Sequence, residues 1–149
     1  MSYTESDYEN ALIELFENNL GYECVCGYDI DHNVKSPLYD TVLEESIFRI
    51  NKGKPYDAIQ NALLTLRNFE NGTLVQKNAV FTDYLQNGIS ARYTENGEER
   101  SALIYLIDWE NIENNSFICA NQWTFIENSN RRPDILLFIN GLPLVLIEL

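Results

Sequence analysis

Positive charge is scarce in this 149-residue sequence, which holds 10 Lys and Arg residues against 23 Asp and Glu residues, for a net charge of −13. Phosphate backbones recruit Lys and Arg, so this composition excludes nucleic-acid binding spread over the whole surface. Contact with a nucleic acid requires either a local basic patch or a partner that supplies the positive field. The alternative role of the acidity is to keep the protein soluble.

Histidine, cysteine and long apolar runs are also few. One His and three Cys, with a single residue between Cys24 and Cys26, argue against a structural zinc site or a redox pair. The longest apolar runs, ILLFI and LPLVLI, are far shorter than the ~20 residues that span a bilayer, and MSYTESDYEN lacks a secretory pattern. The sequence predicts a soluble cytoplasmic protein with no membrane partner, whose cysteines fill its core.

Apolar residues make up 45% of the chain, which is enough for one domain over residues 1–149 with a real core. The first half has helical spacing of apolar residues, in four segments at 4–20, 40–51, 55–69 and 74–86. The second half contains short strand-like runs: ISARYT, ALIYLIDW, SFICANQWTFI, DILLFI and PLVLIEL. We therefore predict an α+β fold in which N-terminal helices pack on a mixed, mostly antiparallel sheet.

The last two runs flank Asn140-Gly141, a dipeptide typical of a tight β-hairpin turn. With a two-residue loop, Asp134 lies opposite Ile147 and on the other face of the sheet from Glu148. With one more residue in the loop, or with a bulge, Asp134 lies directly opposite Glu148, at a side-chain separation of about 5 Å. The sequence leaves both registers open.

Two carboxylates this close repel each other unless a cation lies between them. Mg²⁺ is held by one or two carboxylates together with water and substrate phosphate, so Asp134 and Glu148 are candidate metal ligands for phosphodiester hydrolysis. The alternative is that Asp134 caps the strand against Arg131 or Arg132, while Glu148 is a solvated edge residue. The two arginines are expected either to contact a phosphate near the metal or to neutralise Glu127 or Glu148.

The first predicted helix offers a third carboxylate. Glu9 lies three residues before Leu12 and seven before Phe16, beside the apolar stripe of the helix. Glu5, one turn earlier, is the other candidate for the same supporting role. For either glutamate the alternative is an ordinary position on the helix surface.

The end of the chain resembles the nuclease signature of type I restriction endonuclease R subunits. The resemblance rests on NRRPD (130–134), LFINGLPLV (137–145) and IEL (147–149). Earlier segments agree in the same order: ESDYE (5–9) running into GY (21–22), then LIDW (106–109), SF (116–117) and NQW (121–123). The resemblance covers nearly the whole chain.

In that family the signature is a PD-(D/E)xK motif on a restriction-endonuclease-like fold, which cuts double-stranded DNA with Mg²⁺. The resemblance implies that Asp134 and Glu148 are metal ligands and that Glu9 is the supporting acid. The motif's lysine would directly follow Leu149, so we expect an N-terminal fragment, truncated on the C-terminal side of its core and inactive alone. Family members also carry an ATP-driven motor, whose GxxxxGK[ST] loop is not in this sequence, and assemble with methylase (M) and specificity (S) subunits.

Two readings compete with a nuclease. Net charge −13 also suits a non-enzymatic acidic binding protein, such as a DNA mimic that occupies a positive groove. A mimic needs rows of Asp and Glu on one surface, whereas a nuclease needs a few carboxylates that converge on a metal. The other reading is an inactive nuclease-like scaffold that docks the motor or methylase subunits.

Overall fold

The structure is a computed structural model that describes residues 2–69, 72–126 and 128–149. Its helices are α1 (Glu5–Glu14), α2 (Asp40–Ile50), α3 (Tyr56–Arg67) and α4 (Leu74–Asn87). Its strands are β1 (Glu23–Cys26), β2 (Ile89–Glu95), β3 (Glu98–Ile104), β4 (Phe117–Asn121), β5 (Phe125–Ile126), β6 (Asn130–Arg131), β7 (Ile135–Ile139) and β8 (Leu142–Ile147). The predicted α+β class is confirmed. No helix in the described part of the chain has the length and apolar character needed to cross a membrane.

The chain divides into two compact units. Unit 1 comprises residues 1–43 and 116–149, and unit 2 comprises residues 44–115. Unit 1 holds α1 and a four-stranded sheet, whereas unit 2 holds α3, α4 and a two-stranded hairpin. That residues 1–149 form one nuclease domain stays a prediction.

The sheet of unit 1 is mixed and mostly antiparallel, as predicted. Its strand order is β1-β4-β7-β8, with β1 parallel to β4 and the other neighbours antiparallel. Strands β5 and β6 form a separate antiparallel ribbon of two residues each. The two runs DILLFI and PLVLIEL thus lie side by side at one edge of the main sheet.

Both faces of this sheet are covered by apolar side chains. On one face Cys119, Ile135 and Leu137 pack with Leu12, Ile13, Phe16, Tyr22, Cys24 and Ile147. On the other face Ile118, Ala120, Trp123, Leu136 and Phe138 pack with Val25, Ile30, Tyr39, Val42 and Phe125. Because successive side chains of a strand alternate between faces, β7 reads as a continuous apolar run.

Helix α1 begins where the sequence predicts. The Thr4 hydroxyl accepts a hydrogen bond from the Asp7 N–H, and the Asp7 carboxylate accepts one from the Thr4 N–H, which together form a capping box. The Thr4 hydroxyl and the Thr4 N–H both donate hydrogen bonds to the Asp7 carboxylate, which lowers the pKa of Asp7. The helix continues as a π-helical turn, Leu15–Asn19, and Gly21 follows at φ 71°, so the helical stretch ends where the predicted segment 4–20 ends.

Unit 2 is built around α3 and the β2–β3 hairpin. The buried face of α3 consists of Ala58, Ile59, Ala62, Leu63 and Leu66. Hairpin residues Ile89, Ala91 and Ile104 are also buried. Helix α4 has a capping box between Thr73 and Gln76 and ends at Gly88, at φ 83°.

The predicted strand ALIYLIDW was wrong beyond Ile104, where β3 ends. The side chain of buried Asn51 accepts a hydrogen bond from the Tyr105 N–H and donates one to the Tyr105 carbonyl, both at 2.8 Å. The backbone of Tyr105 is therefore satisfied by a side chain instead of a neighbouring strand. The predicted strand SFICANQWTFI is likewise interrupted after Asn121, because Gln122 adopts a left-handed φ of 54°.

Candidate active site

The β7–β8 hairpin closes through a two-residue turn with positive φ at both positions, 52° at Asn140 and 78° at Gly141. The side chain and N–H of Asn140 both bond to the backbone of Ser116, at 2.8 and 2.9 Å. The Gly141 carbonyl accepts a 2.9 Å hydrogen bond from the Tyr39 N–H. A Cβ atom at Gly141 would lie 2.5 Å from the Leu43 nitrogen. The turn is therefore fixed from both sides and has room only for glycine.

A bulge then shifts the register of the hairpin. Phe138 pairs with Pro143 and Leu137 pairs with Val145, so Leu144 is the extra residue on β8. The structure thus combines the two-residue loop with the bulge, two features that the sequence analysis had weighed as alternatives. The bulge shifts every pair between it and the open end of the hairpin by one position.

The shifted register aligns the two C-terminal acidic residues. Ile135 pairs with Ile147, so Asp134, one residue before, stands opposite Glu148, one residue after. Asp134 is half-buried, and one of its carboxylate oxygens, Oδ2, accepts a 2.7 Å hydrogen bond from the Leu149 N–H. Glu148 is exposed. Two acidic residues therefore lie at the open end of the edge pair of strands.

Glu9 of α1 reaches the same end of the sheet. It is half-buried, whereas Glu5 is exposed, and its Oε1 atom accepts a 3.0 Å hydrogen bond from the side-chain nitrogen of Asn121. Asn121 is the last residue of β4 and pairs with Ile135, which directly follows Asp134. Of the two glutamates considered in the first helix, Glu9 is thus the one bonded to the sheet.

The register aligns Asp134 with Glu148, but the structure does not gather all three carboxylates around one point. Ile135 and Ile147 pack on the α1 side of the sheet, so alternation assigns Asp134 and Glu148 to the other face. Among the residues that the structure describes, no group of three His, Cys, Asp or Glu side chains is placed to hold a metal ion. The oxygen donors of the Asp134 and Glu148 pair still suit Mg²⁺, which needs only one or two protein carboxylates.

Two exposed arginines precede the acidic pair. Arg131 lies on β6 and pairs with Phe125 of β5. The Arg132 guanidinium donates a hydrogen bond to the Tyr28 hydroxyl and lies 5.9 Å from the centroid of that ring. Glu127, the other predicted partner of the arginines, lies outside the described residues.

Sequence reasoning missed Asn121 and Tyr28. Both make their contacts across long sequence separations, 112 residues for Asn121 with Glu9 and 104 residues for Tyr28 with Arg132. In the sequence, Asn121 stands out only as part of the family resemblance, in the segment NQW. No local pattern in the sequence indicates either contact.

Comparison with known proteins shows the family of the chain. The family model "Type I restriction enzyme R protein N terminus" matches residues 2–149. The putative type I restriction enzyme MjaIXP endonuclease subunit of Methanocaldococcus jannaschii is 33% identical over 150 aligned positions, which cover 94% of this chain and 14% of that protein. The type I restriction enzyme HindI endonuclease subunit of Haemophilus influenzae is 30% identical, over 97% of this chain and 15% of that protein.

The chain therefore spans about one seventh of the length of the curated relatives it matches. The match nevertheless runs through both compact units and includes the hairpin that carries Asp134 and Glu148. The chain belongs to the family of type I restriction enzyme R protein N-terminal regions.

Proposed function

We propose that this chain is the DNA-cleaving part of the R subunit of a type I restriction-modification system, with a PD-(D/E)xK core that hydrolyses phosphodiester bonds of double-stranded DNA with Mg²⁺. The observation that supports this proposal most directly is the bulged register, which pairs Ile135 with Ile147, the neighbours of Asp134 and Glu148. Membership of the R protein family supports the same assignment.

Asp134 and Glu148 are the residues that would hold Mg²⁺. The bound ion would polarise a phosphoryl oxygen and make an attacking water more acidic. The Leu149 N–H holds one oxygen of Asp134, so this carboxylate has a fixed orientation before metal or substrate arrives. Oδ1 of Asp134 and the exposed carboxylate of Glu148 would then be the two donors to the ion.

Glu9 supports the site as a carboxylate held on the α1 face by Asn121. Its negative charge adds to the field that attracts a divalent cation to this end of the sheet. Double-stranded DNA and the M and S subunits are the proposed partners, and ATP acts through motor domains elsewhere in the complete subunit. With DNA as its substrate, the assembly works in the cytoplasm.

The test is cleavage of plasmid DNA by the complete R subunit with its M and S subunits, ATP and Mg²⁺. Asp134→Ala and Glu148→Ala should each lower cleavage about a thousandfold, since metal-dependent charge stabilisation is worth several kcal/mol. Glu23→Ala is the matched control, because Glu23 is an exposed carboxylate on β1 of the same sheet. ATP hydrolysis, measured in parallel, should be unchanged in all three variants and reports that the assembly is intact.

Cleavage by Asp134→Ala at the wild-type rate would refute the metal-site assignment. An acidic binding protein or a docking scaffold would be the better description in that case. Equal losses in the Glu23→Ala control would also count against the assignment, because they would point to general acidity as the cause.

A further inference from the structure

The basic residues of unit 1 are few and close together in the structure. Lys35, Arg131 and Arg132 are the only Lys or Arg residues in its sequence. The same unit contains twelve acidic residues: Glu5, Asp7, Glu9, Glu14, Glu17, Glu23, Asp29, Asp31, Asp40, Glu127, Asp134 and Glu148. If the three basic residues were distributed at random, they would be scattered among these acidic residues. The positions of the three basic residues in the structure are therefore informative.

All three cations belong to one small part of unit 1. The Val34 carbonyl, one residue before Lys35, accepts a 2.6 Å hydrogen bond from the Ile126 N–H. Ile126 pairs with Asn130 in the β5–β6 ribbon, and Arg131 and Arg132 follow directly. Neighbouring strands lie about 5 Å apart, so the backbones that carry the three cations lie within about two strand spacings of each other. All three side chains are exposed.

Tyr28 fixes one of these cations. Its hydroxyl accepts a hydrogen bond from the Arg132 guanidinium, which also lies over its ring. The backbone beside Tyr28 is itself held in place, because a Cβ atom on Gly27 would lie 2.4 Å from the Gln122 carbonyl oxygen. An exposed arginine normally loses considerable side-chain entropy when it binds a ligand, and prior contact with Tyr28 reduces that loss.

The position of this group relative to the candidate metal ligands is also specific. Arg132 is followed by buried Pro133 and then by Asp134, so Arg131 and Arg132 lie directly before the first acidic residue of the pair. Among the ion pairs between described residues, none involves Lys35, Arg131 or Arg132. In unit 2, by contrast, Arg67, Arg92 and Arg100 each pair with a glutamate.

We propose that Lys35, Arg131 and Arg132, with Tyr28 as the positioning residue of Arg132, form a basic corner that binds the backbone phosphates of duplex DNA beside the cleavage site. This inference rests on the proposed nuclease function and extends it, because it adds Lys35 and Tyr28 and names the surface that the DNA backbone contacts. It also explains how a unit with so many acidic residues meets DNA: the positive charge is concentrated at one corner.

Direct binding is the first test. The anisotropy of a labelled 20-base-pair duplex is measured with the 149-residue chain at several salt concentrations and without divalent metal. In the corner variant, Lys35, Arg131 and Arg132 are all changed to Gln. The control variant changes Lys52, Lys54 and Lys77 of unit 2 to Gln, which alters the net charge equally. Each phosphate contact contributes about one to the slope of log affinity against log salt, so the corner variant should lose about three.

Tyr28→Phe tests the positioning role, because it keeps the ring and removes the hydroxyl that accepts the hydrogen bond of Arg132. We expect affinity for the duplex to fall two- to fivefold, consistent with a contact worth about 0.5–1 kcal/mol. The same substitution in an Arg132→Gln background should have no further effect, since the partner is already gone. An undiminished effect in that background would overturn the assignment of Tyr28.

Equal salt slopes for the corner and control variants would overturn the proposal, and so would a wild-type chain that does not bind the duplex. Cleavage by the complete subunit separates this inference from the proposed function. If Asp134→Ala abolishes cleavage while the corner variant cuts like the control variant, only the basic corner is wrong. If Asp134→Ala still cuts, the proposed nuclease site fails, and the role of the corner beside it fails too.

Discussion

The two units each contain a hairpin closed by Asn-Gly, and the comparison of these hairpins shows what is particular to the candidate site. In unit 2, Asn96 and Gly97 have φ 52° and 79°; in unit 1, Asn140 and Gly141 have φ 52° and 78°. The turns are thus nearly identical. The β2–β3 ladder runs without a shift, whereas the β7–β8 ladder contains a bulge. The turn alone therefore does not determine which side chains face each other.

Each hairpin also places two carboxylates opposite each other. Next to its turn, unit 2 pairs Glu95 with Glu98, and Arg100 reaches both carboxylates, at 2.8 and 3.6 Å. At its open end, unit 1 sets Asp134 opposite Glu148, and no ion pair between described residues includes either of them. Opposed like charges destabilise a sheet unless a cation is present. The unit 2 hairpin supplies that cation from its own sequence, whereas in unit 1 the proposed Mg²⁺ would supply it.

The largest expected difference between the hairpins concerns their glycines. Gly141→Ala should destabilise unit 1 by about 4 kcal/mol, because the added Cβ meets the Leu43 nitrogen at 2.5 Å and the Tyr39 oxygen at 2.6 Å and the left-handed φ adds strain. Gly97→Ala has the same φ but open space around the Cβ, so only the cost of about 1–2 kcal/mol for the left-handed backbone applies.

Urea denaturation distinguishes the two effects, because each unit has one tryptophan. Trp123 reports on unit 1, where it is fully buried, and Trp109 reports on unit 2. Each signal is isolated by replacing the other tryptophan with Phe. Similar losses of stability for the two glycine variants would show that the packing around Gly141 is not what fixes the β7–β8 turn.

The sequence predicted the candidate site to a useful extent, because the relevant signals are local. Asn140-Gly141 indicates a tight turn by itself, and the number of residues from the turn to Asp134 and Glu148 restricts the pairing to two registers. The choice between them depends on the bulge at Leu144. A bulge is stabilised by the packing of a whole strand pair, so no short motif predicted it.

The remaining contacts were not predictable, since they join distant parts of the chain. Asn51 ends β3 by bonding to Tyr105, and the contact spans 54 residues. His32 lies in a polar loop, yet its ring nitrogens lie 3.0 and 2.8 Å from the carbonyls of Ile30 and Thr124. Polar residues in loops have many potential partners, and the fold decides which are used.

Alkaline pH should affect unit 1 before unit 2, because all three cysteines belong to unit 1. Burial, reinforced by the nearby Cys24, raises the pKa of Cys119 to about 12 from 9.0. Between pH 9 and 12 the Cys119 thiol therefore stays protonated in the folded state and loses its proton in the unfolded state. This contribution to stability is complete below pH 9 and decreases between pH 9 and 12, by about 1.4 kcal/mol at pH 10.

The measurement is the urea midpoint of the Trp123 signal at pH 8 and pH 10, in the wild type and in Cys119→Ala. The variant lacks the ionisable thiol, so it should lose less stability than the wild type over this interval. Burial also raises the pKa of Tyr22, so some dependence on pH should persist in the variant. Identical pH dependence in the two proteins would contradict the assigned role of Cys119.

The smallest expected effect tests the comparison itself. Arg100→Met removes the cation between Glu95 and Glu98, and we expect a loss of about 0.5–1 kcal/mol in unit 2, because the ion pairs are partly exposed. The loss should shrink in 1 M salt, which screens the repulsion between the two glutamates. Arg92→Met is the matched control, since it removes a single, more exposed pair with Glu99 and leaves no opposed carboxylates behind.

Glu98→Gln in the Arg100→Met background should restore most of the lost stability, because it removes the repulsion that Arg100 had neutralised.

The corresponding substitution in unit 1, Glu148→Gln, should affect metal binding as well as repulsion. Glu148→Gln should relieve repulsion with Asp134 and also abolish any stabilisation of unit 1 by millimolar Mg²⁺, since only an ion bound to the folded state raises its stability. In unit 2 of the Arg100→Met variant, Glu95 and Glu98 are opposed without the cation that Arg100 supplies. If Mg²⁺ stabilises unit 2 of this variant as much as it stabilises unit 1 of the wild type, the two hairpins differ only in where a cation binds. Opposed carboxylates alone would then not identify a catalytic site.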